Sequence, residues 1–114
     1  ARYGPYNSAK AGIEALTRTA ADEWAEDGIR VFMLNPEAES TMTMNWKARE
    51  PEKYAAAVAG KPNNRMGHPV EDIGRPLVKP IIDADKYNRK TLGISSGGVT
   101  DTIETITFEP VPLD

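Results

Sequence analysis

The feature that most constrains this chain is a glycine set between two segments of different period. From about Tyr6 to Glu26 the apolar residues Ala9, Ile13, Leu16, Ala20 and Trp24 recur in steps of three and four, the pattern of a helix with one buried face. Gly28 follows where a left-handed residue ends a helix, and Ile29-Arg30-Val31-Phe32-Met33-Leu34 then reads as a mostly apolar strand. Strands of that kind are buried on both faces of a parallel sheet, so helix, Gly break and strand together form the second half of a βαβ unit. An α/β fold with a parallel sheet follows.

The remainder is broken by nine Pro and nine Gly in 114 residues, which leaves few long elements. Asn35-Pro36 ends the strand, and residues 37–45 have neither period and read as a loop. Trp46 to Ala59 predicts a short helix, with Pro51 either in its first turn or dividing the segment in two. Gly60 to Pro69 is a connector; Pro69 then opens a helix through Val70, Ile73, Leu77 and Val78, which Pro76 keeps short or kinked. Thr91 to Ser95 is a second strand ending at Gly97-Gly98, and Thr102 to Phe108 alternates weakly as an edge strand or loose arm before Pro110 and Pro112. The chain thus divides into a domain over residues 1–98 and an arm over 99–114.

Composition removes several classes of function. Without Cys and with a single His, the chain holds no disulfide framework and no Cys/His zinc site, and no metal is expected. Seventeen acidic against fourteen basic residues, a net charge of −3, offer no basic stripe, so nucleic acid is not expected as a partner. No apolar run approaches the roughly 18 residues of a membrane span and nothing resembles a secretory leader, so no membrane association and a cytoplasmic location are expected.

The residues that carry chemistry are Tyr6 and Lys10. Four positions apart at the start of the first helix, they share one face and can act on one substrate atom. A phenol titrates near pH 10 and is by itself a poor acid or base at neutrality; a fixed cation beside a phenol favours the phenolate and suits it to exchange a proton with a carbonyl oxygen. The same spacing also fits a half-buried Tyr beside a snorkelling Lys. Trp24 reads as core or subunit interface, and Trp46 with Met42 and Met44 as structural residues, with the lining of an apolar pocket as the alternative. His68 reads as a connector residue, and Lys86 to Lys90, with Arg89, as a solvated turn rather than an anion site.

The surroundings of the Tyr6/Lys10 pair extend the pattern: Tyr6-Asn7-Ser8-Ala9-Lys10-Ala11-Gly12, Gly28-Ile29-Arg30-Val31, Asn35-Pro36, Arg65-Met66-Gly67-His68-Pro69-Val70-Glu71-Asp72-Ile73, and Gly93 through Gly97-Gly98. In order and spacing this resembles the short-chain dehydrogenase/reductase family over roughly residues 1 to 98. The resemblance implies the C-terminal half of a Rossmann-type, doubly wound parallel sheet in three αβα layers. It further implies NAD or NADP as cofactor, a small-molecule carbonyl or alcohol substrate, and homo-oligomers built through the first helix. The first half of the family's fold, with the Gly-rich phosphate turn and the catalytic Ser and Asn, would precede Ala1 or be carried by a separate chain.

By the same resemblance Tyr6 is the proton donor or acceptor, and Lys10 supports it and binds the nicotinamide ribose. Pro36, Glu37, Glu39 and Thr41 fall in the loop that meets the nicotinamide amide and phosphates. Pro36 and Thr41 fit the family pattern there, whereas Glu37 replaces a Gly and Glu39 an aliphatic residue. Two carboxylates either turn to solvent on a remodelled loop or alter the site for an anionic diphosphate. Two other functions keep the same residues: a non-catalytic fragment or assembly module, and an isomerase or dehydratase on the same scaffold.

Overall fold

A computed structural model describes residues 3–101. The chain runs α1 (Gly4–Glu23), β1 (Met33–Pro36), α2 (Thr41–Arg49), α3 (Pro51–Val58), α4 (Arg75–Ile82), α5 (Ala84–Tyr87), β2 (Thr91–Ser95) and β3 (Gly98–Asp101). A short 3₁₀ turn at Pro62–Asn64 and a wider π-type turn at Pro69–Gly74 separate α3 from α4. The arm residues Thr102 to Phe108 lie outside the described residues.

The sheet has the order β1-β2-β3. β1 pairs with β2 in parallel, Met33 opposite Thr91 and Pro36 opposite Ile94. That parallel pair, reached through helices, is a partial Rossmann-type α/β arrangement. β3 then pairs antiparallel with β2, Val99 opposite Ile94. The sequence reading stops the second strand at Gly97-Gly98; the chain instead turns there and comes back along β2.

The first strand is shorter and begins later than its apolar run predicts. Residues 29–32 are outside it because Val31 bonds irregularly: its N–H donates to Asn88 Oδ1 at 2.8 Å, and its carbonyl accepts from Arg89 N, whose backbone is left-handed at φ 72°. That register break delays the ladder until Met33, whose N–H donates to the Lys90 carbonyl. Nor is the strand buried on both faces, since Met33 and Leu34 are half-buried and Asn35 and Pro36 exposed among the described residues.

α1 also ends before the predicted boundary. Its last residue is Glu23, and a run of turns carries the chain to Gly28, which does adopt the left-handed φ of 74° expected of it. The apolar face of α1 is covered only at its far end: Ala20 and Ala21 are buried, while Leu16 is 68% exposed and Ile13 and Trp24 are exposed too. Trp24 is therefore not a core residue of the described chain. α1 is fastened to the turn that follows α5 by polar contacts, with Asn88 Nδ2 donating to the Ala21 carbonyl and Arg89 paired with Asp22 at 3.0 Å.

Residues 37–45, expected as loop, contain the first half of α2. Ser40 caps it: its Oγ accepts from the Thr43 N–H, and the Thr43 hydroxyl takes the Ser40 N–H in return. Pro51 divides the predicted Trp46–Ala59 helix into α2 and α3 and occupies the first position of α3. The hydrophobic core centres on β2, whose alternation buries Leu92 and Ile94 on one face, and on Pro80 of α4. Tyr54 and Val58, one turn apart on α3, are buried in a smaller cluster. Pro69 opens a helical turn as predicted, but the change of helix type falls at Gly74–Arg75, and Pro76 sits harmlessly in the first turn of α4.

Candidate active site

Tyr6 and Lys10 lie in the first two turns of α1, where Pro5 favours helix initiation and the one-turn spacing stacks the two side chains. The ammonium Nζ of Lys10 stands 5.5 Å from the centre of the Tyr6 ring, and Tyr3 meets that ring edge-on with centroids 6.5 Å apart. Tyr6 is 60% exposed, so the phenol is held by its neighbours' edges and left open to an incoming molecule.

The other predicted residues gather at the C-terminal end of β1. Pro36 is the last strand residue; Glu37 N then bonds the Ile94 carbonyl at 2.8 Å, which carries the chain one step past the ladder. Beyond it the loop is stapled to the segment before α4. Gly67 N donates to the Glu37 carbonyl and Glu39 N to the Gly67 carbonyl, both at 2.8 Å, as a parallel bridge between Ala38 and Gly67. Gly suits this approach, because a Cβ at position 67 would lie in tight contact, 3.0 Å from the Glu37 carbonyl oxygen and close to Ile73 and Asp72.

Neither replacement carboxylate simply turns to solvent. Glu37 pairs with Lys61 at 2.9 Å, and Glu39 contributes to the negative field at the Arg65 guanidinium. Arg65 itself is held by Asp72 through a 2.6 Å bond, which raises the guanidinium further. In return the Arg65 hydrogen bond, followed by the N–H of His68, holds the Asp72 carboxyl below its ordinary range. His68 is more than a connector: its Nδ1 accepts from the N–H groups of Val70 and Glu71, capping the turn that Pro69 opens. The Ser40-x-x-Thr43 box and this His-Pro cap were the residues that sequence reasoning missed; the box is visible as a Ser three before a Thr.

Thr41 opens α2 and, with Met42, Asn45, Ala48 and Arg49, lines an open groove of about 560 Å³. Of the three residues whose alternative is an apolar pocket only Met42 borders it. Met44 is exposed elsewhere, and Trp46 instead packs edge-on against Tyr54 at 5.4 Å and donates Nε1–H to Glu50, joining α2 to α3. The site residues thus fall into two sets, Tyr6 with Lys10 and the loop 36–41 with its cations. No hydrogen bond, ion pair or ring contact joins the sets among the described residues.

A family profile described as Enoyl-(Acyl carrier protein) reductase matches residues 1–79. The chain belongs to the short-chain dehydrogenase/reductase family. Its relatives in that family are named as dehydrogenases and reductases. It is 42% identical over 93 residues to a 12alpha-hydroxysteroid dehydrogenase of Clostridium sp., an alignment covering 81% of this chain and 36% of that protein. It is 36% identical over 96 residues to an NADH-dependent L-xylulose reductase of Ambrosiozyma monospora, covering 83% and 35%. It is 34% identical over 98 residues to a 3beta-hydroxysteroid dehydrogenase of Eggerthella lenta, covering 86% and 37%. The chain therefore spans little more than a third of the length of these short-chain dehydrogenase/reductase relatives. No helix among the described residues is long and apolar enough to cross a membrane.

Proposed function

We propose that this chain contributes the proton-transfer element of an NAD(P)-dependent oxidoreductase that interconverts an alcohol and a carbonyl compound. The observation that carries the reading is the exposed Tyr6 phenol with the Lys10 ammonium against its ring. An open phenol can reach a substrate oxygen, whereas one packed in hydrocarbon could not. The loop charges are compatible with an anionic dinucleotide, since Lys61 and Arg65 face Glu37 and Glu39.

In this reading Tyr6 and Lys10, together with the loop Pro36, Glu37, Glu39 and Thr41, contact a nicotinamide dinucleotide, either NAD or NADP, whose bound form supplies or accepts hydride. Tyr6 Oη gives its proton to the substrate oxygen as a carbonyl is reduced and takes it back when an alcohol is oxidised. Lys10, against the Tyr6 ring, hydrogen-bonds the nicotinamide ribose. Steroid and sugar names among the relatives support a small-molecule alcohol or carbonyl as substrate. The test is nicotinamide oxidation by the protein isolated with every chain that accompanies it, parent against Tyr6→Phe. A loss of about 10²-fold or more, with cofactor quenching of Trp fluorescence retained, is expected for a lost general acid. Unchanged turnover overturns the reading.

A second role is favoured by the open face of α1, on which Ile13, Leu16 and Trp24 are exposed. We infer that this face joins a second copy of the chain or a chain carrying the remainder of the fold. Sedimentation of the parent against Leu16→Glu tests it: dissociation to a smaller species is expected, and an unchanged mass refutes it.

A further inference from the structure

The outer side of α4 is an apolar surface left open. Val78 and Ile82, one turn apart, and Ile81 beside them are all exposed, whereas Pro80 on the other side of the same helix is buried. An aliphatic cluster of this kind marks a contact surface. Lys79 of α4 and Lys86 of α5 stand at its margin, where they border one concavity with Val99 of β3. Both lysines are exposed, in keeping with the solvated turn read for Lys86, and neither forms an ion pair among the described residues. Asp85, the carboxylate beside Lys86, is paired with Arg30 instead.

The end of β3 lies at the same place. Asp101, opposite Leu92 in the ladder, is two positions past Val99, so the chain leaves the sheet beside the two lysines. Residues 102–114 then hold Glu104, Glu109 and Asp114 and no Lys, Arg or His, and their larger apolar side chains include Ile103, Ile106 and Phe108. A segment of that length reaches roughly 40 Å when extended, and the eight residues of α4 span about 12 Å, so it can pass the lysines and run the length of the helix. An acidic and apolar segment thus starts next to a basic and apolar surface that complements it in both respects.

We propose that residues 102–114 dock on the outer face of α4, with Glu104 and Glu109 against Lys79 and Lys86 and with Ile106 and Phe108 over Val78, Ile81 and Ile82. The segment acts as a cap that closes this face of α4 to a second chain. The assignment does not rest on the oxidoreductase reading, since none of its residues belongs to the Tyr6/Lys10 face or the loop after β1.

The test is carbodiimide coupling of the protein isolated with every chain that accompanies it, followed by denaturing electrophoresis and peptide mass mapping. This reagent joins a lysine directly to a carboxylate in contact with it. Links from Lys79 or Lys86 to Glu104 or Glu109 are expected in product of single-chain mass, and Lys61 with Glu37, 2.9 Å apart, supplies the positive control. The double variant Ile81→Ser/Ile82→Ser, at two exposed positions, should lower the yield of those links several-fold while the control link is kept. Absence of the links from protein in which Lys61 and Glu37 are joined overturns the proposal. So does their recovery only at twice the chain mass, which would give this face to a second copy of the chain. A yield that the double variant leaves unchanged overturns it too, because the apolar face would then hold nothing.

Discussion

Lys61 reaches across the connector to the carboxylate of Glu37 at 2.9 Å, so the residue that stands where the family pattern has a Gly is an ion-paired one. The pair is half-open to water, with side-chain exposures of 26% and 48%. A double-mutant cycle with Glu37→Gln and Lys61→Gln should therefore give a coupling of only ~0.2–1 kcal/mol by urea unfolding. That coupling should shrink when salt is added.

Gly67→Ala should be destabilising. The new methyl would lie 3.0 Å from the Glu37 carbonyl oxygen, with Ile73 and Asp72 close by, and relief requires the two segments of the Ala38–Gly67 bridge to shift apart by a few tenths of an ångström. A loss of about 1–3 kcal/mol is expected. Amide hydrogen exchange should locate it, with the Glu39 and Gly67 N–H groups losing protection first.

Acid sensitivity should concentrate on Asp72. Its carboxyl is held below the ordinary range by Arg65 and by the His68 N–H, so the folded state binds this proton less readily than the unfolded chain does. The stabilisation is present above the unfolded value, near pH 3.9, and is lost as pH falls through the lower folded value. Glu50, lowered chiefly by its bond to Lys53, acts in the same direction. Urea midpoints measured from pH 7 down to 2 should fall less steeply for Asp72→Asn than for the parent.

Two leucines should separate core from surface. Leu92 is fully buried, and Leu92→Ala should cost roughly 2–5 kcal/mol by removing the centre of β2's packed face. Leu16 is 68% exposed, and Leu16→Ala should change the unfolding free energy of the dissociated chain by no more than about 0.5 kcal/mol. Equal effects would mean that α1 packs in solution.

What the sequence disclosed follows from how local each signal is. The Tyr6/Lys10 juxtaposition, the left-handed Gly28 and the division at Pro51 are set within one or two turns of chain, and all three are found. The Thr91–Ser95 strand is found as well, because its alternation of buried Leu92 and Ile94 is uninterrupted. The burial of Ile13 and Leu16 fails because periodicity tells which face is apolar and nothing about what covers it. The start of β1 fails because its register depends on Asn88 and Arg89, remote in sequence. At the loop, Glu37 and Glu39 were legible as departures, but Lys61 and Arg65 as their cations were not, since a charge pair between separate segments has no pattern along the chain.

The parallel pairing of β1 with β2 also sets the order of events in synthesis. Val31 and Asn88, which meet just before the ladder begins, are 57 positions apart, and the closure entropy of that span must be met before the first sheet bond rewards it. α1, α2 and α3 can form as they leave the ribosome. Among the described residues β1 pairs only with β2, so that pairing waits for Ser95 to emerge.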